Sequence, residues 1–366
     1  MKLTHNVAQP IIGAKTAPCR SGLTEEKAGV LAPSSAAPVA QRLVVDEGSV
    51  DQRLDNFLIK VLKGAPKTLV YRIIRSGEVR VNKGRASADT RLAMGDEVRV
   101  PPLRLAEKAA PSESTTPARE FPVLFEDEVM LVINKPAGVA VHGGSGVSFG
   151  VIEQLRRARP EARFLELVHR LDKETSGVLV IAKKRSALTA LQDVFRHRQA
   201  HKTYAALVTG SWPDRKKVID VALHKFLTPE GERRVKAVRE DNDDGRRSIS
   251  LVHVVHRFAA FSLLDVTIKT GRTHQIRVHL SHEGHAIVGD DKYGDFALNK
   301  ALARPTPGSK VVGVGREGLP GGRFERMFLH ARYLRIPHPV TGADVTFEAP
   351  LTAECLGLLG ALDPAV

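Results

Sequence analysis

The sequence predicts an α+β protein with a mixed, largely antiparallel sheet, preceded by a small basic unit of two helices and short strands. Within residues 121–350, helical and strand patterns follow one another without the regular β-α alternation of parallel-sheet proteins. One strand is marked by Leu264, Val266 and Ile268, which alternate with polar residues and so bury one face of a sheet. A stretch rich in Pro, Ser and Thr separates this region from the basic unit.

Residues 1–45 are predicted to be a disordered leader, because they are rich in Ala, Ser and Pro and show no sustained periodicity. They lack the apolar core of a signal peptide, although their few acidic residues leave an organelle transit peptide open. The two cysteines, Cys19 and Cys355, form neither a disulfide framework nor a cysteine metal site. We therefore expect a cytoplasmic protein.

Residues 46–105 form the basic unit. Leu54, Phe57, Leu58 and Val61 have the spacing of an amphipathic helix. A second helix is predicted to begin after Thr68 as its N-cap and to end at a glycine, before two short strands. Residues 51–100 hold eleven Lys or Arg and six Asp or Glu, a net charge of +5. This charge indicates a surface for a polyanion.

Residues 106–120 are predicted to be a linker, 121–352 the main domain and 353–366 a tail. The main domain has five candidate strands, Val129–Asn134, Leu165–His169, Val178–Lys183, Thr203–Val208 and Leu263–Lys269. Helices are predicted at Val151–Arg159 and Ala187–Arg198, the second with Ser186 as its N-cap. No internal repeat is present.

The charge of the whole chain favours nucleic acid as the partner. The net charge is +14 and the isoelectric point is near 9.9, so the protein attracts polyanions through long-range fields and counterion release. The sequence has no run of about 18 apolar residues, so it predicts no membrane span. A basic enzyme without a nucleic-acid partner is the alternative, and a membrane surface is disfavoured because no basic amphipathic helix is evident.

The segment 169–184 is the most informative for chemistry. Asp172 follows a candidate strand and precedes a buried apolar strand, so it lies in a tight loop held by rigid elements. Such an aspartate most often only caps its own turn. A kinase catalytic loop is excluded, because Leu171 interrupts the His-Arg-Asp triplet and no Asp-Phe-Gly follows.

The segment 269–285 can be a strand or a helix, and we favour a helix with Thr273 as N-cap and Gly284 as its stop. Arg272 then precedes the first turn and Arg277 lies within it. The four histidines of this segment invite a zinc hypothesis, but no cysteine or carboxylate pair completes a ligand set. RNA contact or surface packing suits them better.

Two further features have alternative interpretations. Tyr204 at the start of a strand is most simply a half-buried core residue, and four Tyr and one Trp are too few for a broad stacking platform. Gly146–Gly150 matches the G-x-S-x-G nucleophile elbow around Ser148, and His142-Gly-Gly resembles an oxyanion loop. In α/β-hydrolases, however, that loop lies on an earlier connection and a strand leads into the elbow.

Taken together, the ordered motifs resemble the RluA-type RNA pseudouridine synthases, and most closely their RluC-like branch, which acts on large-subunit ribosomal RNA. The resemblance covers residues 50–350, of which 51–100 resemble an S4-type RNA-binding domain. The motifs that carry it are Asn134–Gly138, His142–Gly150, His169–Lys184, Thr270–Arg277, Asp290–Asp295 and Phe328–Ala331. It implies a sheet with a central cleft and a reaction without cofactor, nucleotide or metal. The leader and the segment 304–322 fall outside it.

The resemblance also implies site residues. It implies that Asp172 is the catalytic nucleophile, that Tyr204 stacks on the target base, and that Arg277 pairs with the aspartate, with Arg272 as second choice. Arg170 corresponds to a residue that helps to displace the base, and Leu329 to an apolar residue beside the pocket. In the S4-like unit it implies RNA contacts by five cations, Lys67, Arg72, Arg75, Lys83 and Arg85.

We expect a monomer whose partner is large-subunit ribosomal RNA and which binds no membrane. A non-catalytic ribosome-assembly factor is the main rival, but a buried carboxylate facing phosphates has little use in a binding module. A serine hydrolase acting through Ser148 is the second rival, and a fluorophosphonate probe would reveal it.

Overall fold

The protein is described by a computed structural model over residues 40–62, 64–103, 116–144, 148–229, 231–239, 241–304, 311–315, 318–319 and 322–365. Most of the predicted leader and residues 106–115 of the predicted linker lie outside these ranges, as does part of the segment 304–322. Among the described residues, no helix is both long and apolar enough to cross a bilayer.

The small N-terminal unit has the two predicted helices, but its sheet has four strands rather than the two that were predicted. Its elements are β1 (Gln41–Val44), α1 (Leu54–Val61), α2 (Lys67–Arg75), β2 (Arg80–Val81), β3 (Gly84–Arg85) and β4 (Glu97–Val100). The strand order is β1-β4-β2-β3. Its own core contains Leu54, Leu58, Val70 and Ile73, because the apolar stripes of both helices face the sheet.

Two boundaries in this unit differ from the prediction. Strand β1 pairs with β4 from Gln41 to Val44, so the unit begins inside the segment predicted to be a disordered leader. Four residues of mixed polarity are too few for a period to be recognised, and the strand is defined by its pairing with β4. Helix α2 begins at Lys67 with Pro66 at the N-cap, so Thr68 is its second residue rather than its cap.

Among the described residues, the main domain is built on a ten-stranded sheet, with a separate hairpin and five helices. The sheet is formed by β5 (Val123–Glu126), β6 (Met130–Lys135), β7 (Glu166–Leu167), β8 (Ser176–Ala182), β9 (His201–Thr209), β10 (Val218–Asp220), β13 (Ile249–Arg257), β14 (Phe261–Ile268), β15 (Leu329–Pro337) and β16 (Asp344–Glu348). The hairpin is formed by β11 (Ala222–Leu227) and β12 (Arg233–Val238), and the helices are α3 (Val151–Ala158), α4 (Arg185–Arg196), α5 (Gln275–His282), α6 (Phe296–Ala303) and α7 (Ala353–Ala361). The main strand order is β10-β13-β14-β9-β15-β8-β6-β5. All pairings of described strands are antiparallel except that of β15 with β8, which confirms the predicted mixed, largely antiparallel sheet.

The predicted tail, residues 353–366, is part of the folded domain as far as it is described, to residue 365. Helix α7 spans Ala353–Ala361, and the Thr352 hydroxyl accepts a hydrogen bond from the amide of Cys355. Cys355 and Leu358 are buried against the sheet. This segment has apolar residues on every side and two glycines, Gly357 and Gly360, so it lacks the amphipathic stripe by which a packed helix is predicted. Helix α4 begins at Arg185, two residues earlier than predicted, with Lys184 rather than Ser186 at its N-cap.

The two halves of the sheet meet where β15 lies between β8 and β9. Gly177 of β8 has φ +111°, and a Cβ there would lie 2.2 Å from the carbonyl oxygen of Ala331 in β15. Only glycine combines this backbone conformation with so close an approach. The strand that follows the Asp172 loop is thereby held against the centre of the sheet.

A buried hydrogen-bond chain holds the same junction together. Arg326 donates to the hydroxyl of Ser176 (2.6 Å), that hydroxyl lies 2.8 Å from Nδ1 of His330, and Nε2 of His330 lies 3.1 Å from the carbonyl oxygen of Ala349. In the neutral imidazole that burial favours, Nε2 donates to Ala349 and Nδ1 accepts from the Ser176 hydroxyl. Burial lowers the pKa of His330 to about 4.

We predict that this histidine makes the protein less stable in mild acid. The pKa of His330 is lower in the folded chain than the ordinary 6.5, so stability is complete above about pH 6.5 and is lost as the pH falls towards 4. At pH 5 the loss from one such group is about 2 kcal/mol. Urea unfolding at about pH 7.5 and pH 5 measures it. The pH difference in free energy should be smaller by this amount in His330→Gln, and an unchanged difference would contradict the assignment.

Candidate active site

A cavity of about 430 Å³ opens where the loop before β8 faces β9, β15 and the start of α5. Asp172 is the only carboxylate among its lining residues. Its cations are Arg170, Arg196, Arg198, Lys202, Lys269, Arg272 and Arg277. A cavity with seven cations and one acid is suited to an anionic polymer that presents one reacting group to the carboxylate.

Hydrogen bonds to its backbone hold the loop that carries Asp172 in place. The amide of Thr175 donates to the carbonyl oxygen of Asp172 (3.1 Å), which closes a tight turn. Lys135, completely buried, donates from Nζ to the carbonyl oxygens of Pro136 (2.8 Å), Val139 (2.8 Å) and Lys173 (3.0 Å). Because the last of these belongs to the residue after Asp172, the lysine ties the turn to the end of β6. Burial lowers the pKa of Lys135 to about 7.

Arg277 brings a positive charge to the Asp172 carboxylate from α5. Its Nη1 lies 3.8 Å from Oδ2 of Asp172, whose side chain is 22% exposed. The other edge of the guanidinium binds Asp290 through Nε (2.7 Å) and Nη2 (2.6 Å), and Nη2 also contacts Asp291 (2.8 Å). The fork to Asp290 fixes the plane of the guanidinium and leaves Nη1 directed at Asp172.

The electrostatics of this pair follow from burial and charge together. Burial lowers the pKa of Arg277, but the hydrogen bonds and charge of Asp290, with the charges of Asp172 and Asp291, outweigh it and raise the pKa above the ordinary value. Burial raises the pKa of Asp290, and its hydrogen bonds and charge interaction with Arg277 reverse the effect and lower that pKa. The guanidinium is therefore permanently charged beside the Asp172 carboxylate.

His274 is a second neighbour of Asp172. Its Nε2 lies 3.9 Å from Oδ2 of Asp172, and its Nδ1 lies 2.9 Å from the hydroxyl of Tyr293. Its backbone is left-handed, with φ +52°, directly before α5. Burial lowers the pKa of His274, and Arg277 acts in the same direction while Asp172 opposes both. The Tyr293 ring also lies 5.2 Å from the Arg277 guanidinium, so one aromatic side chain contacts both neighbours of the carboxylate.

Tyr204 and Leu329 supply an apolar wall. Both line the cavity, on the adjacent strands β9 and β15, where Tyr204 lies opposite Ala331 and Leu329 opposite Ala206. Leu329 is 3% exposed. Burial, and then the charge of Asp172, raises the pKa of Tyr204. A neutral phenol ring beside an aliphatic side chain is suited to the face of a planar base.

The remaining residues predicted for RNA binding lie on exposed surfaces. Arg170 and Arg272 are exposed at the rim of the cavity. In the small unit, Lys67, Arg72 and Arg75 lie on α2, Lys83 in the β2–β3 turn and Arg85 on β3, and all five are exposed. Arg85 donates to the carbonyl oxygen of Arg75 (3.2 Å). The end of α2 and the β2–β3 turn therefore lie close together. They border a groove that Tyr71 also lines.

The alternative motifs have other roles. No strand of the described residues leads directly into Ser148. Gly143 and Gly150 serve close packing, since a Cβ on Gly150 would lie 2.5 Å from the amide nitrogen of His142 and one on Gly143 would lie 3.0 Å from the carbonyl oxygen of Ser148. The described residues contain no group of three or more His, Cys, Asp or Glu arranged for a metal ion. His279 is buried between Ser250 and the carbonyl oxygen of Val221.

Helix α5 forms where a helix was favoured over a strand. Its N-cap position is held by His274 rather than by Thr273.

Sequence reasoning missed several residues that support the site. Asp290 and Tyr293 lie in the quoted Asp290–Asp295 motif, and Lys135 in Asn134–Gly138, yet none had been given a role. Their motifs were the available signal. A role could not be assigned because each acts through long-range contacts, such as the bond from Lys135 to Lys173.

Comparison with known proteins identifies first the class of these domains. The sequence profile described as RNA pseudouridylate synthase matches residues 129–282, and that of the S4 domain matches residues 52–98. The solved structure of human RNA pseudouridylate synthase domain containing 4 superimposes with a TM-score of 0.51 at 27% identity, over 66% of this chain and 92% of that one. An RNA-modifying domain thus follows an RNA-binding domain.

The relatives then identify the family. The chain is 47% identical over 318 residues to ribosomal large subunit pseudouridine synthase C of Yersinia pestis, covering 86% of this chain and 93% of the relative. It is 45% identical to the protein of the same name from Escherichia coli strain K12, covering 86% and 94%. The chain belongs to the RNA pseudouridylate synthase family, and it is an RNA pseudouridine synthase with an S4 domain.

Proposed function

We propose that this enzyme converts specific uridines of large-subunit (23S) ribosomal RNA into pseudouridine, with Asp172 as the nucleophile. The observation that carries the proposal is the Asp172 carboxylate 3.8 Å from the Arg277 guanidinium in a cavity walled by Tyr204 and Leu329. The choice of large-subunit RNA follows the names of the relatives from Yersinia pestis and Escherichia coli.

The reaction needs one carboxylate and no cofactor. Uridine and pseudouridine are isomers, so no redox step and no external group is involved. In the proposed route, Asp172 attacks C1′ of the ribose and the C1′–N1 bond breaks, with its electron pair leaving on the uracil. The uracil turns, C5 attacks C1′ and displaces the carboxylate, the C5 proton is lost, and N1 is protonated. A glycal route, in which Asp172 removes a ribose proton, requires the same position of the carboxylate.

The target uridine reaches Asp172 only outside the RNA stack. Extruding a base costs a few kcal/mol. Stacking on the Tyr204 ring offsets much of this, since base–aromatic stacking contributes about 1–3 kcal/mol. Both Leu329 and Arg170 line the cavity; in this proposal Leu329 completes the wall behind the base and Arg170 helps to displace the base from the RNA.

Arg277 stabilises the negative charge of Asp172 while the cavity excludes water. Desolvation opposes an ionised carboxylate, and a nearby guanidinium counters it without losing its own charge. The distance of 3.8 Å is that of an ion pair rather than a hydrogen bond. Such contacts tighten when a substrate displaces the remaining water.

The five exposed cations of the S4 domain contact the RNA backbone in this proposal. We predict that replacing Lys67, Arg72, Arg75, Lys83 and Arg85 together by glutamine weakens RNA binding and flattens its salt dependence. Each lost phosphate contact lowers the slope of log K against log salt by about 0.7–0.9. Filter binding over a salt series measures this. A control with Arg163 and Lys300 replaced by glutamine, both exposed outside the S4 domain, should keep the wild-type slope. Equal slopes for the two variants would exclude this surface.

Two measurements test the proposed function itself. Carbodiimide primer extension on large-subunit RNA from cells that lack the protein should lose stops at the modified uridines, and expression of the wild-type chain should restore them. In vitro, transcripts labelled with tritium at C5 of uracil should release tritium on incubation with the protein, because C5 loses its hydrogen. An unchanged modification map together with no release would refute the proposal.

A further inference from the structure

Lys202 is a partly buried cation of the cavity with no anion beside it. It lies two residues before Tyr204 on β9, so both side chains project from the same face of the strand, roughly 7 Å apart along it. Its Nζ lies 5.5 Å from the centre of the Phe195 ring, which stacks on His169. No described residue accepts a hydrogen bond from this ammonium or forms an ion pair with it. Partial burial of an ammonium with unused donors favours the binding of an anion beside it.

Arg198 lines the same cavity and has a backbone conformation that is unfavourable for arginine. It follows α4 with φ +61°, and the amide of Gln199 donates to the carbonyl oxygen of Val194 (2.9 Å) in a helix-ending turn. Glycine is the residue that such a position favours. An arginine there is strained, because in this conformation its Cβ lies close to the following carbonyl oxygen. Like Lys202, its guanidinium has no partner among the described residues. Its cost to the fold indicates that the side chain serves the cavity.

We propose that Lys202 and Arg198 form a binding subsite for one phosphodiester of the RNA strand, next to the extruded uridine. The inference rests on the proposed function, because it places the target base on Tyr204. A nucleotide whose base lies on that ring has its backbone within reach of the ammonium two residues away on the same strand. Lys269 and Arg272 also line the cavity and leave the strand a cationic path out of it.

The first test is a stability and binding comparison on the full chain. Lys202→Met keeps the aliphatic stem on Phe195 and removes the charge, and Arg198→Gly removes a charge while relieving the backbone. Each should weaken binding of a short oligouridylate by roughly tenfold and lower its salt slope by about 0.7. Arg198→Gly should melt at or above the wild-type temperature, which a merely structural role would not combine with weaker binding. The exposed Arg163→Ala serves as control.

The second test locates the phosphate. Short RNAs centred on a uridine mapped by primer extension carry one neutral methylphosphonate at successive positions around it. For the wild type, one position adjacent to the uridine should weaken binding by roughly tenfold. In Lys202→Met the same substitution should have no further effect, because the pair is already broken.

The outcomes separate this inference from the function on which it rests. The subsite would be overturned if both variants kept the wild-type salt slope. It would also be overturned if, at every position, the methylphosphonate weakened binding by the same factor in Lys202→Met as in the wild type. Both read-outs are binding measurements. Failure of the proposed function would instead appear as a lack of tritium release by the wild-type protein, whatever the slopes.

Discussion

Asp172→Asn should abolish formation of pseudouridine while RNA binding persists. The amide keeps the size of the side chain and its place in the turn closed by Thr175, but it lacks the negative oxygen that attacks C1′ in the proposed route. No other carboxylate lines the cavity, so no group can replace it, and loss of a nucleophile lowers rates by at least about 10⁴-fold. Tritium release under single-turnover conditions measures the effect.

The matched control is Asp291→Asn. Asp291 also contacts Arg277 (2.8 Å), but its side chain is 63% exposed and it does not line the cavity. This variant should retain most of the rate. The dissociation constant of Asp172→Asn for the same RNA should stay within about tenfold of the wild type, because phosphate contacts dominate affinity. Turnover by Asp172→Asn near the wild-type rate would remove the central assignment.

The sheet could be predicted from local periodicity, but the way its halves join could not. The run through Val178 to Ala182 and the alternation around Val266 are local signals, and both segments are strands. The junction depends on Gly177 meeting Ala331 and on Ser176 meeting His330, pairs separated by about 154 residues. No periodic pattern encodes such a contact. Strand β1 was missed for a related reason, since its four residues gain their structure from β4.

The residues of the site likewise differ in how far local sequence patterns could identify them. The local pattern places Asp172 in a loop between two recognisable strands, and only the resemblance to a known family implies its catalytic role. The choice between Arg277 and Arg272 needed the left-handed backbone at His274 and the fork from Asp290, which place one arginine at the carboxylate and leave the other at the rim. Lys135 ends a buried strand, where lysine is rarely found. Its three carbonyl partners become visible only in the folded chain.

Arg277→Lys should be far more damaging than Arg272→Lys. A lysine keeps the positive charge, but one ammonium cannot bind both oxygens of Asp290 and still approach Asp172. We expect the rate to fall about 10²–10³-fold, as when a fixed charge-stabilising donor is removed. The free energy of unfolding should fall by about 1–3 kcal/mol, because the buried Asp290 loses hydrogen bonds.

Arg272→Lys is the matched control, because Arg272 is exposed and its side chain contacts no described carboxylate. It should leave the free energy of unfolding within about 0.5 kcal/mol of the wild type and act mainly on RNA affinity. Single-turnover rates and urea unfolding of both variants decide the matter. Suppose instead that the single-turnover rate fell further in Arg272→Lys than in Arg277→Lys. The cation that stabilises Asp172 would then be Arg272, and the hydrogen bonds from Arg277 to Asp290 would serve only the stability of the fold. A loss of stability without a loss of rate in Arg277→Lys would have the same meaning.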